Sequence, residues 1–140
     1  MENFQIFPVN VIALVPAIQF ENTIKNKLEY YKAMNRLEAS LNKCPKIGGT
    51  DGMKEHPVIF HYFTSSTNIY ICEYDKGDLM YGYAIIGDDL CNSEWGYFNR
   101  YLLLKTPDIN IDYHFEEQTI EAALYKLYPD YFKKPQSLTI

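Results

Sequence analysis

The sequence predicts an α+β domain: a four- to five-stranded, mostly antiparallel sheet built as a meander, with helices packed on one face. Three observations point to it. Period-two alternation and turn residues fill the stretch from Val58 to Leu104, an apolar stripe of helical spacing precedes that stretch, and a shorter one follows it near the end of the chain. A chain of 140 residues is large enough to bury one core without metals or disulfides. No repeat or change of composition divides it, so residues 1–140 read as a single domain.

Residues 1 to about 20 are apolar and carry Pro8 and Pro16, which fits an extended arm or short helix laid against the sheet. The apolar run from Val11 to Ile18 is too short to span a bilayer and has no basic flank, so no membrane contact is expected and the location reads as cytoplasmic. From Asn22 to Lys43, Ile24, Leu28, Tyr31, Met34, Leu37 and Leu41 recur at three- and four-residue steps, one face of a helix. Asn22 or Thr23 supplies its N-cap, and Pro45 with Gly48 and Gly49 stops it. Lys46 to Pro57, KIGGTDGMKEHP, has no periodicity and reads as a loop free to move.

The meander follows. Val58–Phe63 is its first strand, and Asn68–Tyr74 its second, with Ile69, Ile71 and Glu73 on one face and Tyr70, Cys72 and Tyr74 on the other. Asp75-Lys76-Gly77-Asp78 reverses the chain, since glycine and aspartate both suit tight turns. Leu79–Ile86 returns as a third strand in which Gly82 leaves room for a neighbouring backbone or ring. Gly87–Glu94 is a polar turn, and Trp95–Leu104 begins as strand or turn and becomes apolar. After Pro107, Ile109, Ile111, Tyr113 and Phe115 alternate with Asn110, Asp112, His114 and Glu116, the cleanest half-buried strand in the chain. Thr119–Tyr128 closes as a helix with Ile120, Ala123, Leu124 and Leu127 inward, ended by Pro129. The last residues, KKPQSLTI, read as a frayed tail, with 135–140 outside the packed domain.

Little in the chain points to chemistry. Cys44, Cys72 and Cys91 are odd in number and widely spaced, which reads as reduced thiols and not a disulfide or zinc framework. His56, His61 and His114 are scattered, so neither a metal nor a cofactor is expected. Asp88, Asp89 and Glu94 around Cys91 oppose thiolate formation, and no phosphate-binding loop, nucleotide fingerprint or nucleophile elbow is present. No catalytic residue is therefore assigned.

Charge is more informative. The net charge of −5 argues against coating nucleic acid. From Glu73 to Glu94 six acids face only Lys76, and from Asp108 to Glu121 five acids face no base. The polar face of the 22–43 helix, with Lys25, Lys32 and Arg36, is locally basic. Acids at turns ordinarily serve solubility, and charged helix faces are ordinarily just solvated. Taken as a contact surface instead, Asp75, Asp78, Asp88, Asp89, Glu94, Trp95 and Tyr97 would meet a basic protein groove, and Lys25, Lys32 and Arg36 would form a second contact.

The run IYICEYDKGDLMYGYAIIGDDLCNSEWGYF, residues 69–98, resembles a family of short bacterial proteins known only as a domain of unknown function and common on plasmids, conjugative elements and phages. The likeness rests on Glu73-Tyr74-Asp75, Asp78, Tyr81-Gly82-Tyr83-Ala84-Ile85 and Asn92-Ser93-Glu94-Trp95-Gly96-Tyr97, with Leu14-Val15-Pro16-Ala17-Ile18 similar to that family's leading segment. Residues 22–54 stand out as an insertion. The resemblance implies a mobile-element setting, where small acidic proteins often block host defence nucleases, including CRISPR effectors; that step is analogy. Two functions follow as expectations. One is a non-enzymatic protein-binding module, an inhibitor of a nuclease or ribonucleoprotein complex. The other is a small hydrolase or ligand-binding domain with an acidic pocket near Trp95, which convergence of Asp88, Asp89 and Glu94 in a recess would favour.

Overall fold

The computed structural model describes residues 7–138. In chain order come α1 (Val9–Ile12), α2 (Ala17–Lys25), α3 (Lys27–Lys43), β1 (Phe60–Phe63), β2 (Asn68–Tyr74), β3 (Leu79–Ile85), β4 (Glu94–Asn99), α4 (Arg100–Leu104), β5 (Asn110–Ile111) and α5 (Ile120–Leu127). The strands form one antiparallel sheet in the order β4-β3-β2-β1-β5. The α+β class and the meander are as the sequence predicts, and β5 returns to pair outside β1.

Both faces of the sheet are covered, which refines the expectation of helices on one face. On the first, Phe60, Tyr62, Ile69 and Met80 pack with Val11, Leu14, Met34 and Leu41 of the N-terminal segment and with Leu103 and Leu104 of α4. On the second, Tyr70, Cys72 and Ile85 pack with Ile120, Ala123 and Leu124 of α5, within a shell of partly buried aromatic rings. The reason lies in β2: from Ile69 to Tyr74 every residue is buried, so each face of the strand needs its own cover.

The first helices depart from the sequence reading. Pro8 and Pro16 stand immediately ahead of α1 and α2, where a missing N–H costs nothing. The segment expected to become helical at Asn22 does so at Ala17 and breaks at Asn26, whose φ of −115° and ψ of 52° are not helical. There the Asn26 side chain donates back to the Asn22 carbonyl at 2.8 Å, a local bond that competes with helix propagation. The break rephases the apolar stripe. Ala33, Met34, Leu37 and Leu41 are buried, while Leu28 is 91% exposed. Residues 1–6 of the expected N-terminal arm lie outside the described residues.

A bulge in β2 matters more. The pairing with β3 runs Ile71↔Gly82 and then Glu73↔Tyr81, so one residue is added on β2. Cys72 and Glu73 consequently both face the α5 side, and Tyr74 joins the Ile69 and Ile71 layer. This corrects the strict alternation that placed Glu73 with Ile71. Gly82 stands opposite the bulge, where a Cβ would fall 1.8 Å from the Tyr70 carbonyl oxygen, the close backbone approach its sequence position suggested.

The strand expected over residues 109–115 shrinks to Asn110–Ile111. Ile109, Ile111 and Tyr113 are buried as the alternation predicts. The Asp112 carboxylate, however, accepts the His114 N–H at 2.9 Å and turns the chain, and Phe115 crosses to the other face, its ring 5.1 Å from that of His61. The tail also differs from expectation as far as Leu138. Ser137 donates its N–H and hydroxyl to Glu55 at 3.0 and 2.6 Å, so residues 135–138 are docked rather than frayed.

Candidate functional site

The turn chemistry of the meander explains most of the acidic candidates. In the β2–β3 hairpin Asp75 accepts the N–H groups of Gly77 and Leu79 at 2.7 and 3.1 Å, and Asp78 pairs with Arg100 at 2.9 Å. Arg100 also donates to the carbonyls of Gly77 and Ala13, fastening the hairpin to the end of α1. In the β3–β4 turn Asp88 adopts a left-handed φ of 58° and accepts the Tyr128 hydroxyl at 2.9 Å. Asp89 caps the 3-10 turn Leu90–Asn92 through the Asn92 N–H and side-chain amide. Glu94 opens β4 as an exposed residue.

These acids do not form one field. The two turns lie at opposite ends of β3, whose seven residues span about 20 Å at the usual strand rise. Glu73 leaves the exposed set altogether, being 2% exposed. The basic candidates stand apart again, on α2 and α3 behind the first face of the sheet: Lys25 pairs with Glu21 at 2.6 Å, Lys32 is exposed, and Arg36 donates to the Tyr113 carbonyl at 2.8 Å. The structure thus gathers Asp88, Asp89, Glu94 and Trp95 at one corner of the sheet, places Tyr97 two residues further along β4, opposite Tyr81, and leaves Asp75 with Asp78, and Lys25 with Lys32 and Arg36, elsewhere. Asp88, Asp89 and Glu94 are exposed there.

At that corner the aromatic rings are ordered. Pairing of Tyr83 with Trp95 and of Tyr81 with Tyr97 puts four rings on the α5 side. Trp95 stacks on Tyr81 with centroids 5.8 Å apart, meets Tyr83 edge-on at 5.3 Å, and is more than half buried. Tyr97 touches Tyr81 at 4.9 Å yet stays 63% exposed. Phe132 closes on Tyr83 from the segment after α5, and the Tyr131 hydroxyl donates to Leu90 at 3.0 Å. Inner rings are thereby fixed and the outermost one faces solvent.

Beneath the ladder lies a polar network that sequence reasoning missed. Glu73 accepts the Gly48 N–H at 2.6 Å, the Thr50 N–H at 3.0 Å and the Thr50 hydroxyl, so the Gly-rich loop is pinned and not free. Burial pushes this carboxyl up, but the bonds from Thr50 and Gly48 and the nearby His56 outweigh it and hold it below the ordinary range. His56 donates its amide to Glu121 at 2.7 Å, and its Nδ1 meets the other oxygen of the same carboxylate at 2.7 Å. Its ring lies 4.5 Å from Trp95. His61 sits between Asp112 and Asn68, at 3.1 and 2.8 Å. The acids Glu121 and Asp112 lie 65 and 51 residues from their histidines in sequence, so no spacing rule could reveal these pairs.

A His–Glu pair could serve as a general base if a nucleophile stood beside it. The thiol on that face, Cys72, is buried and pushed up to about 12, far from a thiolate at neutral pH. Among the described residues no group of three or more His, Cys, Asp or Glu is placed to hold a metal ion, and no helix is long and apolar enough to cross a membrane. Comparison with protein-family models, curated proteins and solved structures finds no match to the chain.

Proposed function

We propose that the chain is a non-enzymatic protein-binding module whose contact surface is the corner made by the β3–β4 turn and β4. The observation that carries this reading is the ladder of Trp95, Tyr81 and Tyr97, rigid within and exposed at Tyr97, bordered by Asp88, Asp89 and Glu94. Aromatic anchors held in place and ringed by charge are what protein interfaces favour. The acids would steer a basic partner, acting chiefly on association rate. With the mobile-element resemblance of residues 69–98, the partner would be a basic groove on a host-defence nuclease or ribonucleoprotein complex, which the bound chain would inhibit. Lys25, Lys32 and Arg36, on the other side of the sheet, would contribute only to a partner that wraps around it.

Capture from host extract tests this, with the native chain, Glu94→Lys and Tyr97→Ala as baits at low and moderate salt. A partner held by the native chain, lost with Tyr97→Ala and weakened at low salt by Glu94→Lys supports the reading. Equal retention by all three baits refutes the assigned surface. For inhibition, the captured nuclease should cleave more slowly with the native chain than with Tyr97→Ala.

A further inference from the structure

The two edges of the sheet are finished differently. At the β5 edge the Asp112 N–H bonds the His61 carbonyl, so Ile111 between the ladder bonds turns its own N–H and C=O outward. Both are taken by one side chain: Gln19 accepts the Ile111 N–H at 2.6 Å and donates to its carbonyl at 3.2 Å. A primary amide there satisfies both groups that a neighbouring strand would use, which closes the edge.

At the other edge β4 pairs with β3 alone. The Arg100 N–H bonds the Asp78 carbonyl, which fixes the phase of the ladder: Phe98, Gly96 and Glu94 bond toward β3, while Asn99, Tyr97 and Trp95 point their N–H and C=O groups away. No hydrogen bond of the described residues uses those outward groups of Trp95 and Tyr97. Along this six-residue strand the outward main-chain groups of Trp95 and Tyr97 are therefore left unpaired, with neither lysine nor proline to guard them. Both sides of that edge suit side chains from an added strand. The α5 side offers Trp95 and Tyr97, and the other borders a recess of about 340 Å³ lined by Ile69, Ile86, Phe98, Leu102 and Leu103. Ile86, Tyr97 and Leu102 are each more than half exposed.

Charge selects the occupant. Residues 86–99 carry Asp88, Asp89 and Glu94 and no Lys or Arg. Nucleic acid would bring phosphates against these acids, whereas a basic polypeptide is attracted. We propose that β4 receives an extended, lysine- or arginine-bearing segment of a partner protein as a sixth strand of the sheet. This rests on the protein-binding reading and specifies its mode: main-chain bonds to Trp95 and Tyr97 supply affinity, and alternate side chains supply selectivity.

The probe is the peptide Lys-Val-Lys-Val-Lys-Val, compared with its fully N-methylated counterpart and with Glu-Val-Glu-Val-Glu-Val. Binding is read by Trp95 emission and by hydrogen exchange at the Trp95 and Tyr97 amides. The basic peptide is expected to bind and to slow exchange at both amides by about tenfold or more, while the methylated and acidic peptides do neither. Tyr97→Pro removes an N–H that β3 does not use, so its thermal melt should stay near that of the native chain while its affinity for the basic peptide falls about tenfold or more. Should this variant not fold, the methylated peptide decides the matter on the native chain.

Equal binding of the methylated peptide, or undiminished binding to folded Tyr97→Pro, would mean electrostatic contact without strand addition. That overturns this inference and leaves the protein-binding reading standing. Failure of the basic peptide to bind at all overturns it too, and the extract capture then decides the wider reading separately. Concentration-dependent dimers of the free chain, abolished by Tyr97→Pro, would make a second copy the occupant and equally overturn it.

Discussion

Glu73→Gln probes the one buried carboxylate among the described residues. In the native chain one oxygen accepts the Gly48 N–H at 2.6 Å and the other accepts both the N–H and the hydroxyl of Thr50. Glutamine keeps a single acceptor oxygen. Placed toward Thr50, it turns its NH₂ group against the Gly48 N–H, donor against donor. Two charge-assisted bonds become neutral ones at a loss of about 1 kcal/mol each, and an unmet donor adds about 1 kcal/mol more because Gly48 is exposed enough to find water. The expected destabilisation is about 3 kcal/mol, or a melting temperature about 10 °C lower for a chain of this length. Urea unfolding should show a lower midpoint with an unchanged slope. The sign of the pH dependence is fixed by the direction of the shift. The folded carboxyl titrates below its ordinary value of 4.5, so its contribution is fully present above that value and is lost as pH falls through the folded one. The gap between native and variant should therefore be widest near neutrality and narrow on acidification below about pH 4.5. A variant within about 0.5 kcal/mol of the native chain at neutral pH, or a gap that widens in acid, would refute the reasoning.

Two further outcomes are expected. Gly82→Ala places a methyl 1.8 Å from the Tyr70 carbonyl oxygen and 2.9 Å from the Ile71 Cα, both main chain, so the β2–β3 pair must part; a loss of at least about 3 kcal/mol is expected in thermal or urea unfolding, and a stable variant would mean the close approach at the bulge is misplaced. Among the thiols, Cys91 is exposed while Cys44 and Cys72 are each pushed up to about 12, burial being the main cause, so a thiol reagent at neutral pH should modify one cysteine quickly in the folded chain and all three in denaturant; rapid native labelling of two or more, counted by mass spectrometry, would contradict it.

The meander was legible because its evidence is local. Alternation over Asn68–Tyr74 and Leu79–Ile85 and the Asp-rich turn between them are written in consecutive residues, and the structure places both strands there to within a residue. What escaped depends on pairing. The bulge at Cys72 arises from register against β3, so the sequence alone put Glu73 on the wrong face. Asn26 breaks a helix that apolar spacing alone would carry through, because the local bond to Asn22 competes with it. Tyr113 and Phe115 share a period but not a face, since Asp112 turns the chain between them. Of the candidate site, Trp95 and Tyr97 are brought together with Asp88, Asp89 and Glu94 by one turn and one strand. Asp75 and Asp78 are separated from Asp88 and Asp89 by the length of β3, a distance that a sum of charges along the sequence cannot register. The open edge of β4 was invisible for a simpler reason. Whether a strand is flanked depends on the whole topology, as does the pairing of Gln19 with Ile111 across 92 residues.

The placement of Glu73 also bears on how the β4 corner can act. Its carboxylate holds Gly48 and Thr50, and the same loop runs on to His56, whose amide and ring both engage Glu121 at the start of α5. The His56 ring then rests against Trp95, and Trp95 against Tyr81 and Tyr83. A bulge that turns one acid toward α5 thus fixes a loop, the loop fixes a histidine, and the histidine backs the indole from beneath. Tyr97, at the outer end of the ladder, keeps most of its surface exposed, and Trp95 and Tyr97 both keep their outward main-chain groups for a partner. A docking strand would meet rings already immobilised, so little side-chain entropy remains to be lost on binding, and affinity can come from a short edge that would otherwise be too small to hold a partner.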